Sequence, residues 1–193
     1  MSCPKKLVKN IIFVIFYIVV IFSYSNVMAN EEAKYDVVKS NEIYEIRKYS
    51  DRLAVQALNT SQNNSFRKLF NYISGNNETN EEIKMTIPVT QMEKKGNMTM
   101  QFYLPSKFNK DNVPNPSRSD LEIVNIEGGY YAVIRYSGRA SDKNFIKHKE
   151  ILENELKKDN ISIAGPVIKA TYNGPFTLPT LRRNEAMFEV NWK

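Results

Sequence analysis

The amino-acid sequence predicts an α+β fold: a duplicated strand-strand-helix-strand-strand unit forming one antiparallel sheet or distorted β-barrel flanked by two helices. The first observation is a nearly constant offset between matching residues, since Glu45 precedes Glu122 by 77 positions and Phe66 precedes Phe145 by 79. The second is that period-two runs of apolar residues, typical of strands, alternate with two runs of helical spacing. Because neither unit can cover a sheet face alone, we expect the two to lie side by side about a pseudo-twofold axis.

The first half of the chain shows strands on both sides of a helix. Apolar and polar residues alternate over 35–58, and "YSDR" interrupts them, which predicts two antiparallel strands joined by a turn. A helix follows in "NNSFRKLFNYISGNN", with Asn64 or Ser65 as its N-cap and Gly75 at its end. The segments "IKMTIPVTQ" and "MTMQFYLP" alternate again, and 94–97 is the predicted hairpin turn between them.

The second half repeats this order after the polar linker "SKFNKDNVPNPSRSD". "LEIVNIEGGYYAVIRYSG" predicts two strands around an "EGG" turn, and "SDKNFIKHKEILENELKKDN" predicts a helix capped by Ser141. The segments "AGPVIKATYN" and "AMFEVNW" predict the last two strands.

The segment before the last strand is longer than its counterpart in the first half, which is only "QMEKKGN". In "YNGPFTLPTLRRNEAMFEV", residues 172–190, two prolines stiffen the chain and Arg182 and Arg183 stand together before the strand. The segment is either a stiff connector or one wall of a site for a flat apolar ligand that carries acids.

Residues 1–29 have the pattern of a removable export signal. Three lysines precede an apolar run of twelve residues, and small residues allow cleavage after Ala29. The alternative is an uncleaved membrane anchor, although twelve residues fall short of the ~20 that span a bilayer. We therefore expect one domain, residues 30–193, that is exported to the periplasm or the extracellular space or remains anchored to the membrane.

Composition argues against several classes of function. Without the leader, 24 basic and 21 acidic residues are interspersed, so the electrostatic signature of a nucleic-acid binder is missing. Cys3, the only cysteine, leaves with the leader, so we expect no disulfide and no thiolate site. No GxSxG, phosphate-cradling glycine loop or HExxH motif occurs, which favours a binding protein over an enzyme.

His148 is the only histidine, and its spacing from Phe145 and Leu152 puts it on the apolar face of the second helix. The favoured interpretation is a partly buried side chain with a backbone partner. A haem-iron ligand is the alternative metal role, and a Ser-His-Asp triad is the alternative catalytic one. Met85, Met98 and Met100 are rival iron ligands, but their strand spacing favours the core.

Six ordered segments resemble a known family: "YEIRKYSDRLAVQA", "RKLFNYISGNN", "KMTIPVTQ", "FYLPSKF" with "VPNPS", "YAVIRYSG" and "YNGPFTLPTLRRNE". From about Tyr35 to the C-terminus, they resemble the SOUL haem-binding proteins. The resemblance implies a duplicated, barrel-like α+β fold. It also implies that a tetrapyrrole binds in a hydrophobic groove between the first helix and the loop before the last strand.

The resemblance suggests which residues line that groove. Asn71 and Thr177 stand where haem-binding members often carry basic side chains, so the propionates would pair with Lys68, Arg182 or Arg183. An iron-ligating histidine proposed for some members lies in the early strands, where this chain has none. The predicted cofactor-binding residues are Phe66, Lys68, Leu69, Phe70, Ile73, Phe176, Leu178, Arg182 and Arg183.

The sequence thus predicts a non-enzymatic protein that binds haem or a related porphyrin non-covalently. The alternative is a cell-envelope domain that binds a partner protein or a small amphiphile and does not use haem. No nucleic-acid partner is expected, and membrane contact is expected only through an uncleaved N-terminal segment.

Overall fold

The computed structural model describes residues 30–58, 62–94 and 96–193, so the predicted leader lies outside the described residues. Glu31–Lys193 forms one compact unit. Among the described residues, no helix is both long and apolar enough to cross a bilayer. The elements in chain order are β1 (Glu31–Glu32), β2 (Tyr35–Ser40), β3 (Glu45–Tyr49), β4 (Arg52–Leu58), α1 (Gln62–Ile73), β5 (Thr86–Ile87), β6 (Val89–Lys94), β7 (Asn97–Tyr103), β8 (Leu121–Ile126), β9 (Gly129–Tyr136), α2 (Asp142–Lys158), β10 (Ser162–Ile163), β11 (Ile168–Thr171), a 3₁₀ turn (Pro179–Leu181) and β12 (Asn184–Asn191).

Ten strands form one curled antiparallel sheet, a half-barrel, while β1 and β5 make a separate parallel pair. The sheet order is β2-β3-β9-β12-β11-β6-β7-β4-β8, and β10 pairs with β12. The strands of the two halves correspond as β3 to β8, β4 to β9, β6 to β11 and β7 to β12. If each strand is replaced by its counterpart, the order from β3 to β8 reads the same from the opposite end. The predicted duplication is therefore confirmed, and the β6–β11 pair lies at its centre.

The strand partners in the two halves differ from the prediction. The region 35–58 holds three strands rather than two: β2 pairs with β3, β3 with β9, and β4 with β7 and β8. The "YSDR" turn meets the "EGG" turn of the other half, where Asp51 accepts a hydrogen bond of 2.8 Å from the Gly128 N–H. Glycine is required there because a Cβ on Gly128 would lie 2.7 Å from the Tyr49 carbonyl oxygen. The predicted β6–β7 hairpin is confirmed.

One row of residues across the sheet shows that both helices cover the same face. Phe102 pairs with Val89, Val89 with Thr171, Thr171 with Asn184, and Asn184 with Tyr136. Directly opposed residues share a face of a sheet. Phe102 belongs to the core under α1 and Tyr136 to the core under α2. We call this the outer face, and the opposite side the inner face.

Of the three predicted helix ends, two agree with the structure and one does not. The Ser141 side chain accepts a hydrogen bond from the Asn144 N–H, as expected of an N-cap. Gly75, with φ of +99°, follows the end of α1. The prediction for the start of α1 is wrong, because the helix already includes Gln62 and places Asn64 and Ser65 inside its first turn.

Candidate ligand-binding site

The predicted apolar stripe of α1 divides into two parts. Leu69 and Ile73 are buried in the core against β4 and β7. Phe66 and Phe70 are 42% and 49% exposed, and their rings stack with centroids 6.2 Å apart. The Phe66 ring also contacts the edge of Phe102 at 5.2 Å, which holds the pair over β7. Two stacked aromatic rings in part open to solvent are a surface that an apolar ligand can cover.

Tyr72 of α1 is not part of the predicted apolar stripe, yet its ring is fully buried. Its hydroxyl donates a hydrogen bond of 2.7 Å to the Pro114 carbonyl, and burial raises its pKa to about 12. Tyr72 therefore anchors α1 to the linker, while Phe66 and Phe70 stay at the surface.

The loop 172–183 lies beside the same central strands as the aromatic pair. Phe66 contacts Phe102, whose cross-strand neighbours on the outer face are Val89 and then Thr171. The loop begins directly after Thr171, the last residue of β11. Phe102 under the aromatic pair and Thr171 before the loop are thus two strand spacings apart, roughly 10 Å at about 4.8 Å per spacing.

The loop exposes apolar side chains from a fixed backbone. Phe176 is 99% exposed, and Leu178 and Leu181 are also largely exposed. The Pro179 carbonyl accepts a hydrogen bond of 2.8 Å from the Gly138 N–H, which ties the loop to the turn before α2. Exposed large apolar residues of this kind are a feature that interaction surfaces share.

The two adjacent arginines have different environments. Arg182 donates to carbonyls of its own loop, through Nε to Thr177 at 2.9 Å and through Nη2 to Pro175. Among the described residues its Nη1 has no partner. Arg182 therefore braces the loop and keeps one edge of its guanidinium available for an anion.

Arg183 is instead part of a buried charge network. Its Nη1 and Nη2 bind the two carboxylate oxygens of Glu32 at 2.9 and 2.7 Å, and its Nε binds Glu185 at 2.9 Å. The guanidinium lies 3.6 Å from the Tyr172 ring centroid. Burial alone lowers the pKa of Arg183, but Glu32 and Glu185 raise it above its ordinary value. The Arg183 guanidinium is thus already bound by the carboxylates of Glu32 and Glu185.

Glu185, which sequence reasoning did not single out, is the centre of that network. It is fully buried and also accepts hydrogen bonds from Arg47 at 3.0 Å and from the Tyr172 hydroxyl at 2.7 Å. Burial, followed by the Glu185 charge, raises the pKa of Tyr172 above its ordinary value. The network joins β3, β12, the loop and the N-terminal strand β1.

Lys68 is also paired within the protein. Its Nζ lies 2.7 Å from Asp120, a carboxylate that Arg118 contacts at 2.8 Å. Hydrogen bonds from Arg118 and then from Lys68 hold the pKa of Asp120 well below its usual range. Of the three predicted propionate partners, Arg182 alone has no carboxylate partner among the described residues, since Lys68 pairs with Asp120 and Arg183 with Glu32 and Glu185.

His148 is partly buried and has a backbone partner, which is the arrangement that the sequence analysis favours. Its Nδ1 lies 2.7 Å from the Asn144 carbonyl one helical turn earlier, so this nitrogen donates. Its ring stacks on Tyr136 with centroids 4.0 Å apart, over β9. Because β12 lies between β9 and β11, His148 is placed away from Phe66 and Phe70. No group of three or more His, Cys, Asp or Glu that could hold a metal occurs in the described part of the chain.

Comparison with known proteins now adds to this geometry. Residues 30–189 match the family described as SOUL heme-binding protein. The chain belongs to this family. Heme-binding protein 2 of Mus musculus is 29% identical over 177 residues, covering 84% of this chain and 85% of that protein. Heme-binding protein 2 of Homo sapiens is 30% identical over 161 residues, covering 76% and 77%.

Solved structures share the fold of this SOUL family member at low sequence identity. The C-terminal domain of EcmrR has a TM-score of 0.59 at 10% identity, covering 81% of this chain and 98% of that one. A protein from Listeria innocua described as a hydrolase has a TM-score of 0.55 at 10% identity, covering 80% and 94%. These similarities show the fold alone.

Proposed function

We propose that the protein binds haem or a related porphyrin on the outer face, between α1 and the loop 172–183. The observation that carries the proposal is the stacked, half-exposed pair Phe66 and Phe70, which flanks the same two central strands as the exposed loop. The family supports a tetrapyrrole as the ligand. Leu69 and Ile73 support the wall from beneath rather than contacting the macrocycle, because both are buried.

Apolar contact supplies only part of the binding energy. Covering about 300 Å² of macrocycle contributes roughly 7 kcal/mol at ~25 cal/mol per Å². Association costs about 4 to 15 kcal/mol, so a charged contact with the propionates is needed for affinity better than micromolar. Arg182 fits this role through Nη1, whereas Lys68 and Arg183 would first have to leave their carboxylates.

The residues fit the macrocycle better than they fit its iron. Phe66, Phe70, Phe176 and Leu178 offer apolar surface, and Arg182 offers a cation. His148, the single histidine, lies over β9 rather than beside these residues. A haem iron would supply redox and ligand-binding chemistry when bound, while the chain's own residues bind and orient the ring. We therefore infer that this chain is a binding protein and not an enzyme.

Hemin titration of the protein tests the proposal. We expect a saturable shift of the Soret band, together with saturable quenching of Trp192 fluorescence, at micromolar protein. An unchanged Soret spectrum at tens of micromolar hemin would contradict haem binding. Recovery of a protein partner from the cell envelope under those conditions would instead support the interaction domain that does not use haem.

Replacing Arg182 with Ala should lower the affinity for hemin about two- to fivefold, as expected from loss of one partly exposed charge pair. The affinity for hemin dimethyl ester should fall less, because the ester carries no propionate charge. Arg182→Lys keeps the charge and should recover part of the lost affinity. Equal losses for hemin and its ester would show that Arg182 only braces the loop.

We also propose that residues 1–29 direct export, which would place the protein in the periplasm or outside the cell. The pattern of lysines, apolar residues and small residues before Asn30 supports this proposal. An envelope-extracted protein whose N-terminal residue is Asn30 would support cleavage, and an intact Met1 would support an uncleaved anchor.

A further inference from the structure

The loop 172–183 meets the start of α2 at one end of the sheet. The Gly138 N–H donates a hydrogen bond of 2.8 Å to the Pro179 carbonyl of the loop. The Asn144 side-chain amide, in the first turn of α2, donates at 3.0 Å to the Arg139 carbonyl. These contacts hold the loop, the turn after β9 and the start of α2 together as one surface.

The apolar part of this surface belongs to the loop. Phe176, Leu178 and Leu181 are the most exposed large apolar side chains in the described part of the chain. The Thr177 N–H donates to the Gly174 carbonyl at 3.2 Å and the Leu181 N–H to the Leu178 carbonyl at 3.0 Å, which fixes the loop backbone. Large exposed apolar patches are found where a protein contacts another protein or a membrane.

The cations of this surface are Arg139, Lys143 and Arg182, and none of them forms an ion pair among the described residues. Arg139 and Lys143 are exposed, while Arg182 donates to backbone carbonyls of its own loop. Lys147 adds a further positive charge one turn along α2, and it precedes Glu150, the next acid on that helix.

The acids closest to these cations in the sequence are paired with other cations. The Asp142 carboxylate lies 2.8 Å from the Lys169 Nζ, and the Glu185 carboxylate lies 2.9 Å from the Arg183 guanidinium. Residues 172–184 contain no acid. The surface therefore combines exposed apolar side chains with positive charge that these acids do not offset.

We propose that this basic-apolar surface, formed by the loop with Arg139 and Lys143, docks on an anionic lipid bilayer. The apolar side chains of the loop enter the headgroup region, and Arg139, Lys143 and Arg182 contact the lipid phosphates. Apolar area and electrostatic attraction add in binding of this kind. Phe176 is almost fully exposed, and a fluid bilayer can enclose such a projecting ring without a preformed pocket. Docking on lipid does not depend on bound haem, although Phe176 and Leu178 are also assigned to the porphyrin groove.

Cosedimentation with lipid vesicles in the absence of hemin tests the proposal. Vesicles of phosphatidylcholine alone are compared with vesicles of phosphatidylcholine and phosphatidylglycerol in equal parts. We expect binding to the anionic vesicles to be at least about tenfold tighter, and added salt should reduce the difference. Equal binding to both vesicles, or binding to neither, would overturn the proposal. Because the lysines and the apolar run of residues 1–29 can also bind anionic lipid, every variant carries the wild-type N-terminus.

Lys143→Gln should weaken binding to the anionic vesicles about fivefold, the usual effect of one basic residue near an anionic membrane. Lys157→Gln is the matched control, because it removes the same charge from an exposed position at the opposite end of α2. It should leave vesicle binding unchanged. Equal losses for the two variants would show that only the net charge matters and would overturn the surface.

Phe176→Ala should weaken binding to the anionic vesicles about five- to tenfold, because one phenyl ring no longer enters the headgroup region. The variant should remain folded, since the ring contacts almost no protein atoms. Ile163→Ala is the control, because Ile163 is an exposed apolar residue that pairs with Val190 near the other end of β12. Wild-type binding by Phe176→Ala, or an equal loss for Ile163→Ala, would exclude the loop from the membrane contact and overturn the proposal.

Discussion

Glu185→Gln is expected to lower the free energy of unfolding by about 3–5 kcal/mol, the usual cost of removing one partner from a buried ion pair. Glu185 is fully buried, and the substitution leaves Arg47 and Arg183 without its negative charge. Burial alone lowers the pKa of Arg47, and the Glu185 charge raises it above its ordinary value. Glu185→Gln removes that charge, but a guanidinium is too basic to lose its proton in a protein, so Arg47 stays charged in the variant.

Urea unfolding measures this loss as a lower midpoint with an unchanged slope. Glu153→Gln is the matched control, because Glu153 pairs with Lys149 at 3.4 Å on the exposed side of α2. Loss of that pair should lower the free energy of unfolding by less than about 1 kcal/mol. Adding Arg47→Met to Glu185→Gln should recover part of the stability, because it removes a buried charge that, of the described residues, only Glu45, 2.7 Å from the Arg47 Nε, would still offset. A loss for Glu185→Gln no larger than for Glu153→Gln would refute the network.

Replacing Phe66 and Phe70 together with Ala is expected to weaken hemin binding roughly 30-fold. Each half-exposed ring has about 1 kcal/mol of apolar burial left to gain on binding, half of what a fully exposed Phe gains. Two rings then contribute about 2 kcal/mol, which corresponds to this change in affinity. The variant should remain folded, because the buried Leu69, Tyr72 and Ile73 still hold α1 on the sheet.

Ile146→Ala provides the control for the aromatic pair. Ile146 is an exposed apolar residue on α2, similarly open to solvent, and it lies on the helix that the proposed groove does not use. Its replacement should leave hemin affinity unchanged. If Ile146→Ala weakened binding as much as the aromatic variant, the groove would have to be moved to α2.

Local patterns predicted the elements of the fold, while partners distant in sequence escaped prediction. Period two and helical spacing predict β6, β7 and both helices because these patterns follow from local geometry. The pairing of β3 with β9 and of β4 with β8 depends on two halves that exchange strands, and alternation alone does not specify a strand's neighbour.

The same limit applies to the environment of the candidate site residues, which the sequence predicted only in part. Phe66 and Phe70 were identified together with Leu69 and Ile73, because helical spacing does not tell the buried edge of a wide apolar face from its exposed edge. Arg183 was expected to bind a ligand acid, yet Glu32, 151 residues earlier, binds it. Glu185 could have drawn attention as an acid in the apolar run of β12, but its partners lie on other elements.

The location of the porphyrin is the central claim, and nuclear magnetic resonance of the protein with ferric haem tests it most directly. The paramagnetic iron broadens amide signals near it. We predict broadening at Phe66, Phe70 and residues 176–178, with sharp signals from the paired inner-face residues Tyr131 and Glu189 on β9 and β12. Broadening of the inner-face signals while those of α1 and the loop stay sharp would contradict the account.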